Sequence, residues 1–311
     1  MENSRCFRTG AVVVIAMCIA GCDNYDSIIP KNTCAEHLPV AKQLSRLRAN
    51  METSAAGEIE SIQFHPNPET NDPRVRNEDL DFLGGLSSLK TLWLQASDAR
   101  LKGLRIINTF PNLQDLSIII VDDSDVENIM DCQKLTNLDV RGPLTSAGLL
   151  RLVELKQLKS LAIKGTRLAD DVTCINRLER LEELSFRDEP ITDQMMQDLR
   201  PSFERISALR IHSGKITDDG AKSLSGVKKL KLVSILYSEI GDESIEYLST
   251  IPTIESLSVC HTLVSDKSVD TLATMPYLKE LFIYKTKMSE EGIQRLRQLK
   301  PKLNVSFIFP T

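Results

Sequence analysis

The chain carries a hydrophobic pattern that recurs every 22 to 25 residues. Each copy has apolar residues at its first, fourth and sixth positions, and further apolar residues follow at helical spacing. The hydrophobic period changes from two, which is typical of a strand, to about 3.6, which is typical of a helix. Each copy therefore predicts one strand followed by one short helix. The copies begin at Leu89, Leu113, Leu135, Leu158, Leu181, Ile206, Leu230, Ile254 and Leu278.

The turn between strand and helix has its own repeated signature, which is clearest in residues 216–224. Thr217 can cap a helix with its hydroxyl, and Asp218 and Asp219 fall in the first turn, where the helix dipole favours negative charge. Similar Thr, Ser and Asp residues occur at the same place in other copies. We interpret them as helix caps and not as catalytic groups.

These copies resemble the leucine-rich repeat superfamily, and specifically its short subtype with an "I-T-D-x-G" turn. The resemblance covers residues 80–309. It implies an α/β fold, a right-handed leucine-rich repeat solenoid with the shape of a horseshoe, in which a parallel sheet lines the concave side and short helices line the convex side. Where a cysteine-containing subtype has Cys after the strand, this chain has hydroxyl residues that could form a ladder of hydrogen bonds between turns. They are Ser97, Thr166, Ser238, Thr262 and Thr286.

Both ends of the repeat array are atypical, as terminal repeats usually are. Residues 59–64 form a degenerate first copy, and a closing strand is expected around residues 305–309. Pro39 and an apolar face predict a helix within residues 33–50 that covers the open end. The expected division is a tether over 22–32, a helical cap over 33–58 and the solenoid over 59–311, with 65–73 as a surface loop.

The first residues read as an export signal. Arg5 and Arg8 precede a ten-residue apolar run that is too short to cross the ~30 Å hydrocarbon core of a bilayer. The run ends in Ile19-Ala20-Gly21-Cys22, which resembles the lipobox of bacterial lipoproteins. That resemblance implies that residues 1–21 are a signal peptide and that the mature chain is exported and held on a bacterial membrane by lipidation of Cys22. An ordinary signal peptide cut after Ala20, or a buried apolar helix, are the alternatives.

Composition narrows the possible partners. The net charge is -5, which argues against general nucleic-acid binding because such proteins need a surplus of basic charge.

The cysteines that remain after processing are widely separated and form no CxxC pair. A zinc site is therefore not expected, and we expect these cysteines to be buried free thiols. They are Cys34, Cys132, Cys174 and Cys260.

The strand pattern also predicts which side chains line the concave face. In each copy the third, fifth, seventh and eighth positions point away from the core. We call the rows formed by these positions columns three, five, seven and eight. Column five reads Trp93, Ser117, Asp139, Ala162, Ser185, Arg210, Ser234, Ser258 and Phe282. Column seven reads Gln95, Ile119, Arg141, Lys164, Arg187, His212, Leu236, Cys260 and Tyr284.

The middle of this face is basic. Neighbouring strands lie about 4.8 Å apart, so Arg141, Lys164 and Arg187 are expected side by side, which is unfavourable without nearby negative charge. A bound anion would supply that charge, and so would the neighbouring carboxylates. Counting Asp139, Glu183 and Asp188 against Arg141, Lys164, Arg187 and Arg210 leaves one surplus positive charge. We therefore expect a solvated patch that is largely paired with itself.

The two ends of the face are apolar. Trp93 is expected to face outward beside Ile119 and Ile120, and a second apolar group lies near the other end. Exposed aromatic side chains in a groove are typical anchors for a protein partner. Alternatively, the N-terminal segment folds over Trp93, and Phe282 and Tyr284 merely pack against each other.

Sequence motifs for catalysis are absent. The histidines at 37, 65, 212 and 261 lie in no metal-binding or nucleophile motif, and strand alternation separates the adjacent Cys260 and His261. We therefore expect a protein without enzymatic activity, cofactor or metal.

The predicted function is that of a membrane-anchored module that binds an envelope or extracellular protein through its concave face. The alternatives are binding of an anionic envelope glycan and a structural spacer without a specific ligand. The predicted partner-binding residues are Trp93, Ile119, Arg141, Lys164, Arg187, Arg210, His212, Leu236, Tyr237, Phe282 and Tyr284.

Overall fold

The computed structural model describes residues 29–64, 80–94, 105–120, 122–166, 168, 171–212 and 214–307. Twelve strands form one sheet whose spatial order equals the order along the chain. This order confirms the solenoid expected from the repeats. The strands are β1 (Asn50–Thr53), β2 (Ile59–Phe64), β3 (Thr91–Leu94), β4 (Asp115–Ile119), β5 (Asn137–Arg141), β6 (Ser160–Lys164), β7 (Glu183–Arg187), β8 (Ala208–His212), β9 (Leu232–Leu236), β10 (Ser256–Ser258), β11 (Glu280–Phe282) and β12 (Asn304–Ser306).

Strands β2 to β12 pair in parallel, and the register advances by one repeat at each step. Leu184 of β7, for example, lies between Leu161 of β6 and Leu209 of β8. These first inward positions are fully buried, and complete burial of a leucine side chain contributes about 1.5–3 kcal/mol. The inward residues of successive repeats form one continuous hydrophobic core along the solenoid.

Short helices connect the strands on the convex side. The α-helices are α1 (Leu38–Arg46), α2 (Ser146–Leu152), α3 (Asp193–Asp198), α4 (Arg200–Phe203), α5 (Asp218–Ala221), α6 (Asp242–Ser249), α7 (Val269–Thr274) and α8 (Glu290–Leu299). Other connections contain 3₁₀ turns, at Asp81–Leu83, Arg105–Thr109, Asp123–Ile129, Thr173–Arg177, Lys222–Leu224 and Asp266–Ser268. With only 22 to 25 residues per repeat, the chain has room for little more than one or two helical turns.

The predicted helix caps are present and also join neighbouring repeats. The Thr217 hydroxyl accepts from the Asp219 N–H and begins α5. Its own N–H and hydroxyl donate to the Asp193 carboxylate of the preceding repeat, over 2.8 and 2.7 Å. Asp242 receives the N–H and hydroxyl of Ser265 in the same way. Asp266 likewise receives both groups of Ser289. The acidic residues therefore stabilise the stacking of repeats as well as the helix ends.

This bridging carboxylate explains the glycine of the turn. A Cβ placed on Gly220 would lie 2.2 Å from Oδ1 of Asp193, and one on Gly292 would lie 2.1 Å from Oδ1 of Asp266. Where the same position holds Ser268, the hydroxyl instead donates to the preceding carboxylate, that of Asp242. Only a hydrogen atom or a small donor fits against the aspartate at this point.

The hydroxyl ladder expected after the strands is not formed in the described residues. The Thr262 hydroxyl donates to the Val259 carbonyl of its own turn, and the Thr286 hydroxyl donates to Ile283 in the same way. Thr166 instead donates to the buried Glu189 of the next repeat. The prediction of a ladder was wrong. The short side chains of Thr262 and Thr286 bring their hydroxyls closer to a carbonyl of their own turn than to the backbone of the neighbouring turn.

The N-terminal end contains the expected helix and, in addition, a strand that the sequence did not predict. The helix predicted within residues 33–50 occupies Leu38–Arg46, with Pro39 in its first turn. It is followed by β1, which pairs antiparallel with β2 and covers the edge of the sheet. The buried His37 accepts a hydrogen bond from the Ile59 N–H through Nδ1, over 2.8 Å. The described end of the expected tether, at Asn32, is hydrogen-bonded to Thr53 and Ser54.

The closing strand expected around 305–309 is β12 at Asn304–Ser306; Phe309 and the 65–73 loop lie outside the described residues. Within the described ranges, no helix combines the length and apolar character needed to cross a membrane.

Candidate functional site on the concave face

The observed strand register confirms column five from Trp93 to Phe282 and column seven from Ile119 to Leu236. In column five, Ser185 lies between Ala162 and Arg210. In column seven, Arg187 lies between Lys164 and His212. The repeat spacing was sufficient to predict these neighbours because each repeat adds one strand in the same register. Gln95 of column seven lies outside the described residues.

Trp93 is only half-buried, and its indole has a defined partner. Nε1 donates to Oδ1 of Asp115 over 2.8 Å. Burial raises the pKa of Asp115, and the nearby Asp139 adds to that effect, while hydrogen bonds from Trp93 and Asn137 oppose it. The ring is therefore held against the face by a polar contact that the sequence analysis did not anticipate.

Of the two isoleucines expected beside Trp93, only Ile119 is exposed enough to contact a partner. Ile119 is half-exposed, whereas Ile120 is buried in the core with 2% exposure. The expectation that Ile120 faces outward was wrong because the chain turns inward directly after β4. The apolar end near Trp93 is thus smaller than the sequence indicated.

The charged middle of the face is paired as expected. Arg141 contacts Asp139 over 3.2 Å, Lys164 contacts Asp188 over 3.1 Å, and Arg210 contacts Glu183 over 3.2 Å. The three predicted carboxylates thus neutralise three of the four predicted cations.

Arg187 is the remaining cation. It is half-buried and has no ion pair among the described residues. Its neighbour His212 approaches the Ser234 hydroxyl over 3.4 Å. Burial lowers the pKa of His212, and the charges of Arg187 and Arg210 lower it further, while Asp188 opposes them. The region around Arg187 therefore keeps a positive potential.

The aromatic end of the face forms one stacked cluster. The ring of Tyr237 stacks on that of His261 with 4.0 Å between centroids, and Tyr284 meets His261 edge-on at 5.3 Å. The Lys285 ammonium lies 5.2 Å from the centre of the Tyr284 ring. Tyr237 is 55% exposed, although it is a large aromatic residue. Leu236 and Phe282, which are half-exposed, belong to the same end of the face.

From the end of β5 onward, the described positions of column eight have a left-handed backbone. Its φ angles are 110° at Gly142, 67° at Gly165 and 55° at Asp188. In the aromatic cluster the same position holds Tyr237, His261 and Lys285, with φ angles of 55°, 58° and 51°. A left-handed conformation costs an ordinary residue roughly 1–2 kcal/mol, so glycine would be favoured here on stability alone. The bulky side chains occupy this position despite that cost.

Sequence reasoning missed the central role of His261 in this cluster. It considered this residue only as a partner for Cys260 and did not extend column eight through all repeats. The signal was available, because His261 stands exactly one repeat after Tyr237 and one before Lys285. In the structure the Cys260 thiol accepts from the Tyr284 N–H over 3.4 Å and lies 3.7 Å from the Ser258 hydroxyl.

The remaining cysteines correct one expectation. All four are free thiols, but only Cys132 is buried, and Cys34, Cys174 and Cys260 are partly exposed. Burial raises the pKa of the Cys132 thiol to about 11, so this thiol is held in its unreactive neutral form.

Across the described ranges, no cluster of three or more His, Cys, Asp or Glu residues is arranged to hold a metal ion.

A shallow depression of about 600 Å³ lies away from these columns, between the convex helices α3 and α5. Its lining is mostly charged or amide-bearing, and includes Asp193, Gln197 and Lys222. It is open and lacks an aromatic anchor, so the concave columns are the better candidate for recognition.

The repeat length, the strand-and-helix unit and the sheet in chain order define an α/β leucine-rich repeat solenoid. Neither a protein-family model nor a curated protein sequence matches the chain.

Two solved structures are similar in part. One is an internalin (inlF) from Listeria monocytogenes, with 17% sequence identity and a TM-score of 0.43 over 74% of this chain and 76% of that one. The other is the plant peptide hormone receptor RGFR1 in complex with RGF2, with 14% identity and a TM-score of 0.45 over 82% of this chain. This chain spans 40% of the receptor chain. The fold assignment rests on the repeats and strand order of the chain itself.

Proposed function

We propose that the protein is a non-catalytic interaction module that binds another protein through its concave face. The observation that carries this proposal is the exposed cluster of Tyr237, His261 and Tyr284. Aromatic side chains supply much of the binding energy of protein interfaces, and backbone strain that is retained at a surface position is typical of functional sites.

The charged middle of the face fits a role in specificity. Arg141 and Arg210 are held by neighbouring carboxylates, so their positions are fixed before a partner arrives. Fixed charges at an interface select partners of complementary charge and steer their approach more than they add affinity. The aromatic cluster would then anchor the partner, and the charged columns would set its orientation. Trp93 and Ile119 would contribute a smaller apolar contact at the other end.

The alternative ligand is an anionic envelope glycan held by Arg141, Lys164, Arg187 and Arg210. Three of these cations already have carboxylate partners. A polyanion would have to replace those contacts one by one, so this alternative is less well supported than a protein partner. A spacer without a ligand does not account for aromatic side chains on strained backbone.

The test is capture of a partner from envelope extract after chemical crosslinking. The full chain is compared with a Tyr237→Ala, Tyr284→Ala variant and with a Tyr277→Ala control. Tyr277 is 60% exposed but lies in the turn between α7 and β11, outside the concave columns. Circular dichroism establishes that each variant is folded.

We expect one protein to be captured by the wild type and the control and lost from the double variant. Equal capture by all three chains would refute the concave aromatic anchor. Loss that depends only on ionic strength, and not on the tyrosines, would support the glycan instead.

We further propose that the protein is an exported bacterial lipoprotein, anchored through Cys22 and facing the periplasm or the cell surface. Residues 1–21 would be removed as the signal peptide, 22–32 would supply the tether, 33–58 the cap and 59–311 the solenoid. The support is the order of charged, apolar and lipobox segments in the sequence.

The anchor is tested by incorporation of a labelled fatty acid and by fractionation of membranes. Cys22→Ser is expected to abolish labelling, and Cys18→Ser, which changes a cysteine within the apolar run, is expected to retain it. Labelling of Cys22→Ser at the wild-type level would refute lipidation at this residue.

A further inference from the structure

The turns that lead into strands β5 to β12 form a basic edge of the solenoid. They contain eleven Lys or Arg and six Asp or Glu, although the chain as a whole has a net charge of -5. The surplus lies in the last four turns, before β9 to β12, which hold six lysines and one glutamate. We call all eight turns the strand-start edge; they are residues 130–136, 153–159, 178–182, 204–207, 225–231, 250–255, 275–279 and 300–303.

Several of these lysines have no internal partner. Lys228, Lys229 and Lys302 are exposed, and the described residues offer none of them an ion pair. A helix dipole favours cations only within the last turn of a helix. Lys228 lies four residues beyond Leu224, where the preceding 3₁₀ turn ends. Stabilisation of helix ends therefore does not account for this charge.

Contacts between the turns place the lysines side by side. The Glu255 carboxylate lies 2.5 Å from Lys279 and 3.8 Å from Lys231, so two lysines share the one acidic group. The Lys300 ammonium donates to the Met275 carbonyl and joins the last two turns. The four turns before β9 to β12 therefore form one continuous surface with a surplus of positive charge.

The same surface exposes large apolar side chains. Tyr277 is 60% exposed, the largest exposed fraction among the large apolar residues that the structure describes. Leu299, directly before Lys300, is 51% exposed. Tyrosine is enriched at the interface between a membrane and water, and lysines near an anionic lipid surface are attracted to it. Exposed apolar residues among lysines fit such a surface.

The described chain also begins at this edge. The Asn32 side chain donates to the Ser54 carbonyl over 2.9 Å and accepts from the Thr53 hydroxyl over 2.7 Å. Ser54 begins the turn that leads into β2, so it lies at the edge where the strands start. Cys22 precedes Ile29 by seven residues, which can span at most about 25 Å. A lipid on Cys22 would therefore hold this edge close to the membrane.

We propose that the strand-start edge docks on a bilayer surface with anionic lipid headgroups, through the turns before β9 to β12. This inference rests on the lipid anchor proposed above and adds the orientation of the anchored protein. The strands then run away from the membrane. Column eight, with Tyr237 and His261, lies where the strands end and is presented to the space beyond it.

The test uses the full chain, purified from membranes and reconstituted into vesicles whose acyl chains are brominated. One set contains phosphatidylglycerol and phosphatidylcholine, and the other contains phosphatidylcholine alone. Because the chain has one tryptophan, Trp93→Phe with Tyr277→Trp places the only indole at the proposed contact. The matched control is Trp93→Phe with Leu263→Trp, a position that is 43% exposed at the opposite edge. Flotation measures attachment, and circular dichroism establishes folding.

Bromine quenches an indole that reaches the acyl chains, so we expect quenching for Tyr277→Trp in the anionic vesicles and none for Leu263→Trp. Adding Lys228→Gln and Lys229→Gln should lower the ratio of docked to undocked protein about tenfold or more, since each lysine near an anionic surface contributes about fivefold. Lys267→Gln with Lys287→Gln removes the same charge from exposed positions at the opposite edge and should leave quenching unchanged.

Equal quenching at both tryptophan positions, equal quenching in neutral vesicles, or full quenching without Lys228 and Lys229 would overturn the proposal. Attached protein without any quenching would overturn it and leave the lipid anchor in place. Protein that floats only with anionic vesicles, with Tyr277→Trp quenched, would retain the docking edge and refute the anchor.

Partner capture from a detergent extract needs no bilayer, so its result is independent of this one and Tyr277→Ala remains a control there. Loss of the captured protein from Lys228→Gln, Lys229→Gln, without loss of quenching, would overturn the lipid surface as the ligand of these lysines and assign them to an acidic protein.

Discussion

Tyr237 combines three properties that a structural residue seldom combines: an aromatic ring, 55% exposure and a left-handed backbone. The equivalent positions directly after β5 and β6 hold Gly142 and Gly165, which adopt this backbone at little cost. At the scale of single residues, the C-terminal repeats therefore have side chains that stability does not require. The sequence predicted that Tyr237 is exposed, but only the backbone angles show that its position is strained.

We predict that Tyr237→Gly changes the free energy of unfolding by less than about 1 kcal/mol. Relief of the left-handed strain, roughly 1–2 kcal/mol, offsets the loss of about 0.5–1.5 kcal/mol from stacking on His261. Urea unfolding followed by circular dichroism measures the change. Destabilisation by more than about 2 kcal/mol, the range of a core substitution, would show that the ring is a structural element instead.

At the scale of elements, the caps of the convex helices could be predicted from the sequence. Their second role, hydrogen bonding to the carboxylate of the preceding repeat, could not. Sequence periodicity places Thr217 before a helix, but it cannot show that the Asp193 carboxylate of the preceding repeat lies against it. That contact depends on how closely the repeats stack, which is set by the core side chains between them. The glycine at 220 was the one sequence sign of such a close approach.

We predict that Gly220→Ala destabilises the protein by about 1–2 kcal/mol, although glycine to alanine within a helix is ordinarily favourable by up to about 1 kcal/mol. The cause is the Asp193 Oδ1 atom, 2.2 Å from the added methyl group. In an Asp193→Ala background the same change should be clearly less destabilising, because only the Ile216 Cγ2 atom at 2.9 Å and the Asp193 Cα atom at 3.1 Å then lie close to the added methyl group. This double-mutant cycle, measured by urea unfolding, isolates the contact. Stabilisation by Gly220→Ala in both backgrounds would refute it.

The caps also predict a pH dependence. Burial acts to raise the pKa of Asp242, but hydrogen bonds from Ser265 and Ser268 outweigh it and leave the pKa below its ordinary value. The unfolded state then binds the proton more tightly, so this stabilisation is present above the unfolded pKa of about 3.9 and is lost as the pH falls through the folded pKa.

The stability of each protein is expressed relative to its own value at neutral pH. On this scale Asp242→Asn should lose less stability than the wild type between about pH 4 and pH 2. Asp219→Asn, the same substitution at an exposed position of α5, is the variant with which it is compared. Thermal unfolding across this pH range provides the measurement. Identical slopes for Asp242→Asn and the wild type would contradict the role given to this carboxylate.

At the scale of the whole molecule, the repeat determined most of what could be predicted. The solenoid follows from the spacing of apolar residues, because each unit buries its core against the next. Strand β1 was missed, since its four residues pair antiparallel outside the repeat and carry too few positions to show a period. The stacking around His261 depends on side-chain directions at strand ends, which the period of a strand does not specify.

We predict that amide hydrogen exchange is slowest in β5 to β9 and fastest in β1 and β12. Interior strands have neighbours on both sides, whereas β1 pairs only with β2 in the described sheet. Stability of a solenoid is approximately a sum over neighbouring repeats, so the ends open first. Mass spectrometry of peptides resolves the individual strands. Uniform exchange along the chain would show that it unfolds as one unit.

The most direct test of the central claim is photo-crosslinking inside cells. A photoreactive amino acid is placed at Leu236 of column seven or at Leu150, which is 48% exposed on the convex helix α2. Binding through the concave face predicts a discrete crosslinked protein from position 236 and none from position 150. The same crosslinked protein from position 150 alone, or from both positions equally, would contradict recognition through the concave face.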